Sequence, residues 1–165
     1  MDPLMERVAA IGRVLVAQGW KLAVAESCTG GLVSHTVTNL SGSSAFFLGG
    51  VVAYANGVKE RLLGVPKEML AAHGAVSGEV ALAMAQGVRR LLGAEVGLAT
   101  TGIAGPTGGT PAKPVGTVYV AVSTPAGEAV RHFLWTSDRL GNKRLSTEAV
   151  LHLLAEQLGP SSEAL

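Results

Sequence analysis

Three short segments of the chain carry residue types that can do chemistry. The first is AESCTGG at residues 25–31, in which two hydroxyl side chains and a thiol precede paired glycines. It follows a short apolar run, residues 22–25, that has the length of a buried strand. Open α/β sheets bind ligands at such strand-to-helix junctions, where free backbone amides attract anions. Ser27 is therefore a candidate nucleophile, and its structural alternative is an N-cap residue in a tight turn.

The second segment carries a candidate base. No Asp-Ser arrangement typical of a catalytic triad accompanies any of the four histidines, His35, His73, His132 and His152. Lys59 follows the candidate strand that contains Tyr54, and a lysine desolvated at such a junction loses its proton near neutral pH. The alternatives are a solvated lysine for Lys59 and a core side chain for Tyr54. Cys28 is predicted to be a small buried apolar residue.

The third segment is the Gly/Pro-rich stretch at residues 102–116, which follows another predicted strand and is predicted to be a loop. Its amides could line the same crevice as the turn at Ser27. The glycine pattern matches neither a dinucleotide fingerprint nor a phosphate loop, and metal-ligand spacing is absent from the sequence. The cations in residues 137–144 suit a ligand phosphate or carboxylate, and the alternative is a solvated helix cap.

The elements that must position these segments alternate along the chain. Helices are predicted over residues 2–18, 30–39, 57–63, 66–72, 79–92 and 142–158. Strands are predicted over residues 22–25, 51–55, 96–101, 117–123 and 129–135, the last two as an antiparallel hairpin. This order predicts a single α/β domain over residues 1–159, with a flexible tail at 160–165.

Composition narrows the class of protein further. The 165 residues include 13 Lys+Arg, 12 Asp+Glu and one cysteine, so the net charge is +1 and a disulfide framework is excluded. Aromatic residues make up 4% of the chain, and the basic residues are scattered, which argues against a nucleic-acid surface. With no apolar run long enough to cross a bilayer, the chain is predicted to be cytoplasmic, with a small molecule as its ligand and no membrane partner.

Several ordered motifs together resemble one family, the CinA C-terminal domain. They are AESCTGG at 25–31, GSSA at 42–45, Tyr54, Lys59, HGAVS at 73–77, GIAGP at 102–106 and KPVGT at 113–117. The resemblance runs from about Val8 to Leu158. It implies a three-layer α/β/α fold with a mixed, mainly parallel sheet of about five strands, and a homodimer. Stand-alone members, of the PncC type, are amidohydrolases that convert nicotinamide mononucleotide to nicotinate mononucleotide and ammonia in pyridine nucleotide salvage, with no cofactor or metal.

The resemblance also implies roles for individual residues. Ser27 is the nucleophile, Lys59 the general base, and Ser44 and Tyr54 assist, in a Ser-Lys variant of acyl transfer. Amides near Gly30 or Gly102 are expected to hold the oxyanion. The implied substrate-binding residues are Thr29, Gly30, Gly31, Thr101, Gly102, Gly105, Lys143 and Arg144. Either Lys143 or Arg144 holds the 5′-phosphate, and the role of the Thr101 hydroxyl stays open.

Two other functions compete with this one. A non-catalytic nucleotide-binding or regulatory module would keep the pocket without turnover, but a degenerate site is expected to have lost Ser27, Tyr54 or Lys59, and all three are present. Direct DNA binding follows only from the family's historical name. The charge of +1 and the few aromatic residues oppose it.

Overall fold

The computed structural model describes residues 2–159, which form a five-stranded sheet between two layers of helices. In chain order the elements are α1 (Pro3–Gln18), β1 (Leu22–Glu26), α2 (Leu32–Thr38), β2 (Phe47–Val52), α3 (Asn56–Leu63), α4 (Lys67–His73), α5 (Gly78–Leu92), β3 (Val96–Gly102), β4 (Thr117–Thr124), β5 (Gly127–Leu134) and α6 (Arg139–Leu158). A 3₁₀ turn, Ser43–Ala45, precedes β2.

The sheet has the strand order β2-β1-β3-β4-β5. Strands β2, β1 and β3 are parallel, whereas β4 is antiparallel to both β3 and β5, so four of the five strands run in one direction. The predicted three-layer fold with a mixed, mainly parallel sheet is confirmed. Because parallel strands end at the same edge, residues after β1, β2 and β3 come together there. We call this edge the carboxyl edge.

The two faces of the sheet carry side chains of different size. Leu22 and Val24 of β1 pack on one face against α1, α2 and α6. Ala23 and Ala25 pack on the other face, which α3, α4 and α5 cover. Small side chains let α5 lie close to the sheet, and a Cβ atom at Gly97 would collide with the carbonyl oxygen of the α5 residue Ala85.

Most element boundaries lie within one or two residues of the sequence prediction, and the differences at β2, α2 and α6 bear on the site. Strand β2 begins at Phe47 and ends at Val52, whereas residues 51–55 were expected, because pairing with β1 overrides the low strand propensity of its two glycines. Helix α2 begins at Leu32 rather than near residue 30. Helix α6 begins at Arg139 rather than residue 142, because the Asp138 carboxylate accepts a hydrogen bond from the Gly141 amide at 2.8 Å and caps the helix.

Two sequence predictions concern the end of the chain and the location of the protein in the cell. The predicted tail at residues 160–165 lies outside the described residues. Among the helices of residues 2–159, none combines the length and the apolar composition that crossing a membrane requires. The cytoplasmic location stays a prediction.

Candidate active site

Ser27 and Lys59 meet at the carboxyl edge of the sheet. Ser27 directly follows β1, and Lys59 lies in α3, the helix that follows β2. The Lys59 Nζ atom lies 2.9 Å from the Ser27 Oγ atom, and the Lys59 side chain is only 1% exposed. The alternative that Lys59 is a solvated surface lysine is therefore wrong. The fold thus places a candidate nucleophile within hydrogen-bonding distance of a buried amine.

The surroundings of Lys59 make its neutral amine accessible near neutral pH. Its Nζ donates to the backbone carbonyls of Ala53 at 2.9 Å and Tyr54 at 2.8 Å, and Ser27 is its third polar neighbour. Burial lowers the pKa of Lys59 from 10.5 to about 8, because desolvation disfavours the charged form. A neutral amine has two N–H groups for the two carbonyls, so its lone pair then faces the Ser27 hydroxyl. In that state Lys59 can accept the serine proton.

Main-chain hydrogen bonds hold Ser27 in place. Its N–H donates to the Thr100 carbonyl of β3 at 3.0 Å, and its carbonyl accepts from the Gly30 amide at 3.2 Å. The amide of Ala53, whose carbonyl accepts from Lys59, donates to the Glu26 carbonyl at 2.8 Å. The turn after β1 is thus tied to the strand ends on both of its sides.

A cavity of about 340 Å³ opens beside Ser27 and Lys59. Tyr54, Thr101, Gly102 and residues of the loop between β3 and β4 line it, and Arg139 of α6 contributes a guanidinium cation. Among the described residues, no Asp or Glu lines this cavity. Its polarity therefore favours a ligand that carries negative charge.

Arg139 is the member of the predicted cation cluster, residues 137–144, that lines the Ser27 cavity, whereas the sequence prediction assigned the phosphate to Lys143 or Arg144. Its guanidinium donates to the Gly105 carbonyl at 2.7 Å and to the Tyr54 hydroxyl at 3.4 Å. The choice of Lys143 or Arg144 rested on the resemblance to the family, and the predicted start of α6 at residue 142 left Arg139 outside the helix. Asp138 could have indicated the position of Arg139 from the sequence, since an aspartate N-cap places the next residue in the first turn of the helix.

Seven of the eight predicted substrate-binding residues line one of two cavities. Thr101, Gly102 and Gly105 line the cavity at Ser27, and the Thr101 hydroxyl donates to the Ala75 carbonyl at 2.8 Å. Others of the predicted set line a neighbouring cavity of about 490 Å³, namely Thr29, Gly30, Gly31 and Lys143. Of the two glycines expected near the oxyanion, Gly102 is thus the one at the Ser27 cavity.

Like Gly30, Gly31 and Lys143, the predicted site residues Ser44, Thr29 and Arg144 do not line the cavity at Ser27. Ser44 is exposed in the 3₁₀ turn that precedes β2. It therefore lies at the edge of the sheet opposite to the carboxyl edge. Thr29 is 1% exposed, and its hydroxyl is bonded to Glu26 and Thr100. Arg144 is exposed and lines neither cavity.

Cys28 is next to the nucleophile but is not a second one. It is buried at 6% exposure, and burial raises the pKa of its thiol to about 12. The thiol therefore stays protonated at neutral pH, where it is a poor nucleophile. The prediction that Cys28 is a small buried residue is confirmed.

Comparisons with known proteins agree on one family. A family model described as the CinA C-terminal domain matches residues 5–158. A competence-damage inducible protein of Moorella thermoacetica is 49% identical over 162 residues, which are 98% of this chain but only 39% of that protein. A CinA superfamily protein from Klebsiella pneumoniae has a crystal structure with a TM-score of 0.89 and 32% identity, covering 95% of this chain and 98% of that one. The competence/damage inducible protein CihA from Agrobacterium tumefaciens has a TM-score of 0.87 and 37% identity, with 94% of each chain covered.

Proposed function

Because the chain belongs to the family of CinA C-terminal domains, we propose that it hydrolyses the carboxamide of nicotinamide mononucleotide to nicotinate mononucleotide and ammonia. The observation that carries this proposal is the 2.9 Å contact between Ser27 Oγ and the buried Lys59 Nζ. The identity of the substrate is inferred from the resemblance to the PncC-type amidohydrolases. The guanidinium of Arg139 in the cavity agrees with a ligand that bears a phosphate.

The proposed reaction proceeds in two halves. Ser27 Oγ attacks the carboxamide carbon while Lys59 Nζ takes the hydroxyl proton. Lys59 then returns this proton to the nitrogen, the C–N bond breaks, ammonia leaves, and an ester to Ser27 remains. In the second half Lys59 takes a proton from water, which attacks the ester carbon, and the C–O bond to Ser27 breaks. Nicotinate mononucleotide leaves, and the proton returns to Ser27.

Two features of the proposed complex lower the barrier to attack. Gly102 lines the cavity beside Ser27, and its amide is proposed to donate to the oxyanion. The pyridinium ring of the substrate withdraws electrons from the carboxamide, so a hydroxyl activated by an amine suffices as the nucleophile. Tyr54 is 62% exposed and lines the cavity, and we propose that its ring contacts the pyridinium ring or the ribose.

The direct test is a product assay. Purified protein is incubated with nicotinamide mononucleotide without added metal, and ammonia and nicotinate mononucleotide are quantified. We expect the two products in equal amounts. Tight binding of the nucleotide without product would overturn the proposal and favour a non-catalytic binding module.

The rate is expected to depend on pH through Lys59. Below its pKa of about 8 the ammonium form predominates, and this form cannot accept the serine proton. We therefore expect kcat/KM to rise about tenfold per pH unit below about pH 8 and to level off above it. A profile that is flat across this range, or that falls with rising pH, would contradict the assignment of Lys59 as the base.

Arg139 is proposed to hold the phosphate. We expect Arg139→Gln to raise KM for nicotinamide mononucleotide about 10- to 100-fold, since a charge-assisted hydrogen bond contributes about 1.5–3 kcal/mol, and to lower kcat much less. Steady-state kinetics measure both constants. The matched control is Arg90→Gln, an exposed arginine of α5, and it should behave as the parent. An unchanged KM with a reduced kcat would show that Arg139 does not bind substrate.

A further inference from the structure

We propose that Glu26 is a positioning residue for the nucleophile. Its buried carboxylate holds the turn that carries Ser27, and it exchanges no proton in the reaction. The activity assay for this inference rests on the proposed function, but a second assay described below does not.

The location of Glu26 is unusual for a carboxylate. It is the last residue of β1, it is 0% exposed, and strand alternation places it on the same face as Leu22 and Val24. Within residues 2–159, it forms no ion pair with a lysine, arginine or histidine. A buried carboxylate is costly unless several donors satisfy its oxygens. The chain must therefore supply these donors from uncharged groups.

Five hydrogen bonds satisfy the carboxylate. Oε1 accepts from the Thr29 hydroxyl at 2.6 Å, the Gly31 amide at 3.1 Å and the Val33 amide at 2.9 Å. Oε2 accepts from the amide and the hydroxyl of Ser34, at 3.0 and 2.8 Å. All five donors belong to the turn that begins at Ser27 or to the first residues of α2. The carboxylate therefore closes this turn around itself.

The same residue connects the turn to the base. The Glu26 carbonyl accepts from the Ala53 amide at 2.8 Å, and the Ala53 carbonyl accepts from Lys59 Nζ at 2.9 Å. The side chain of Glu26 thus fixes the segment after Ser27, while its main chain fixes the strand end that supports Lys59. Errors of about 1 Å in such a pair cost about a hundredfold in rate.

Glu26 itself does not reach the reacting atoms. Its carboxylate does not line the cavity at Ser27, and its hydrogen bonds go to the turn and α2 rather than to Ser27 Oγ or Lys59 Nζ. Its effect on the reaction must therefore pass through the position of Ser27.

The test is Glu26→Gln. Glutamine has nearly the size of glutamate, but its NH₂ group replaces one of the two acceptor oxygens and cannot accept hydrogen bonds from the turn. We measure reaction with a fluorophosphonate, in which Ser27 Oγ attacks phosphorus, fluoride leaves, and Lys59 takes the hydroxyl proton. Intact-protein mass spectrometry gives the labelling rate. We expect this rate, and kcat for nicotinamide mononucleotide, to fall about tenfold or more per folded molecule. The Kd for nicotinamide mononucleotide and the apparent pKa of the rate profile should stay those of the parent.

A matched control is Glu128→Gln. The Glu128 carboxylate also accepts from side chains, Ser123 at 2.6 Å and Gln86 at 3.0 Å, but it lies at the edge of the sheet opposite to Ser27. Any loss of stability in this variant should leave the rate per folded molecule unchanged. If Glu26 only stabilised the fold, Glu26→Gln would also keep the parent's rate per folded molecule. An unchanged rate in Glu26→Gln would therefore overturn the inference.

A second variant covers the case in which Glu26→Gln does not fold. Ser34→Ala removes one donor to the carboxylate and leaves the four others, and we expect a fall of severalfold in both rates. Parent rates in folded Ser34→Ala would then overturn the inference. If the parent is labelled at Ser27 but does not hydrolyse nicotinamide mononucleotide, the proposed function fails, and the labelling rates of the variants still decide the role of Glu26.

Discussion

Replacing Ser27 with alanine is expected to lower kcat for nicotinamide mononucleotide by a factor on the order of 10⁴ or more. The substitution removes the atom that forms the ester, and the neighbouring Cys28 thiol cannot replace it, since it stays protonated. The fold should survive, because the hydrogen bonds that hold the turn involve the main chain of Ser27. Ammonia release measures the loss, and circular dichroism and thermal unfolding report the fold.

The control for this substitution is Ser123→Ala. Ser123 is likewise a buried, hydrogen-bonded serine, but it lies at the opposite edge of the sheet, in contact with Arg89 and Glu128. It should keep the parent's kcat even where its unfolding temperature falls. Turnover by Ser27→Ala at the parent's rate would contradict the mechanism in which Ser27 is the nucleophile.

Replacing Lys59 with methionine is expected to lower kcat/KM roughly 10³- to 10⁴-fold, near the upper range for loss of a general base. Methionine has nearly the length of the lysine side chain and fills the same buried space, but it has no lone pair that can take the serine proton. The residual rate should also lose the rise with pH that the parent shows below about pH 8. Steady-state assays at a series of pH values measure both effects.

Lys21→Met provides the control for Lys59. The Lys21 Nζ atom also donates to a backbone carbonyl, that of Ala45 at 2.6 Å, but Lys21 precedes β1 and lies at the edge opposite to Ser27. We expect parent kinetics in this variant. A Lys59→Met protein that keeps both the rate and its pH dependence would assign the base to another group.

The layered fold was predictable because it follows from local patterns. Apolar spacing and glycine stops predicted the order of the helices and strands and most of their positions, and the turn at residues 25–31 was recognisable as a strand-to-helix junction. Strand β2 was the least accurate element. Gly50 has no strand propensity of its own, and it is required because a Cβ there would collide with the Ser34 hydroxyl of α2. Such a requirement depends on packing between distant segments, which no local pattern contains.

The candidate site was predictable in its parts but not in its geometry. Spacing alone did not distinguish a buried Lys59 from a solvated one, because its burial depends on the parallel pairing of β1 with β2. The same pairing places Ser44 at the far edge. The role of Glu26 was hidden because a charged residue at a strand end is ordinarily solvent-exposed, and only the folded turn supplies its five donors.

The central claim is that Ser27 forms an ester with the substrate's acyl group. The most direct measurement is rapid acid quenching of the protein during its first turnover of nicotinamide mononucleotide, followed by peptide mass spectrometry. We predict an acyl ester on the peptide that contains Ser27, formed together with the first ammonia and lost as nicotinate mononucleotide appears. Product formed at the normal rate with no ester at any quench time would contradict the claim and indicate direct attack by water.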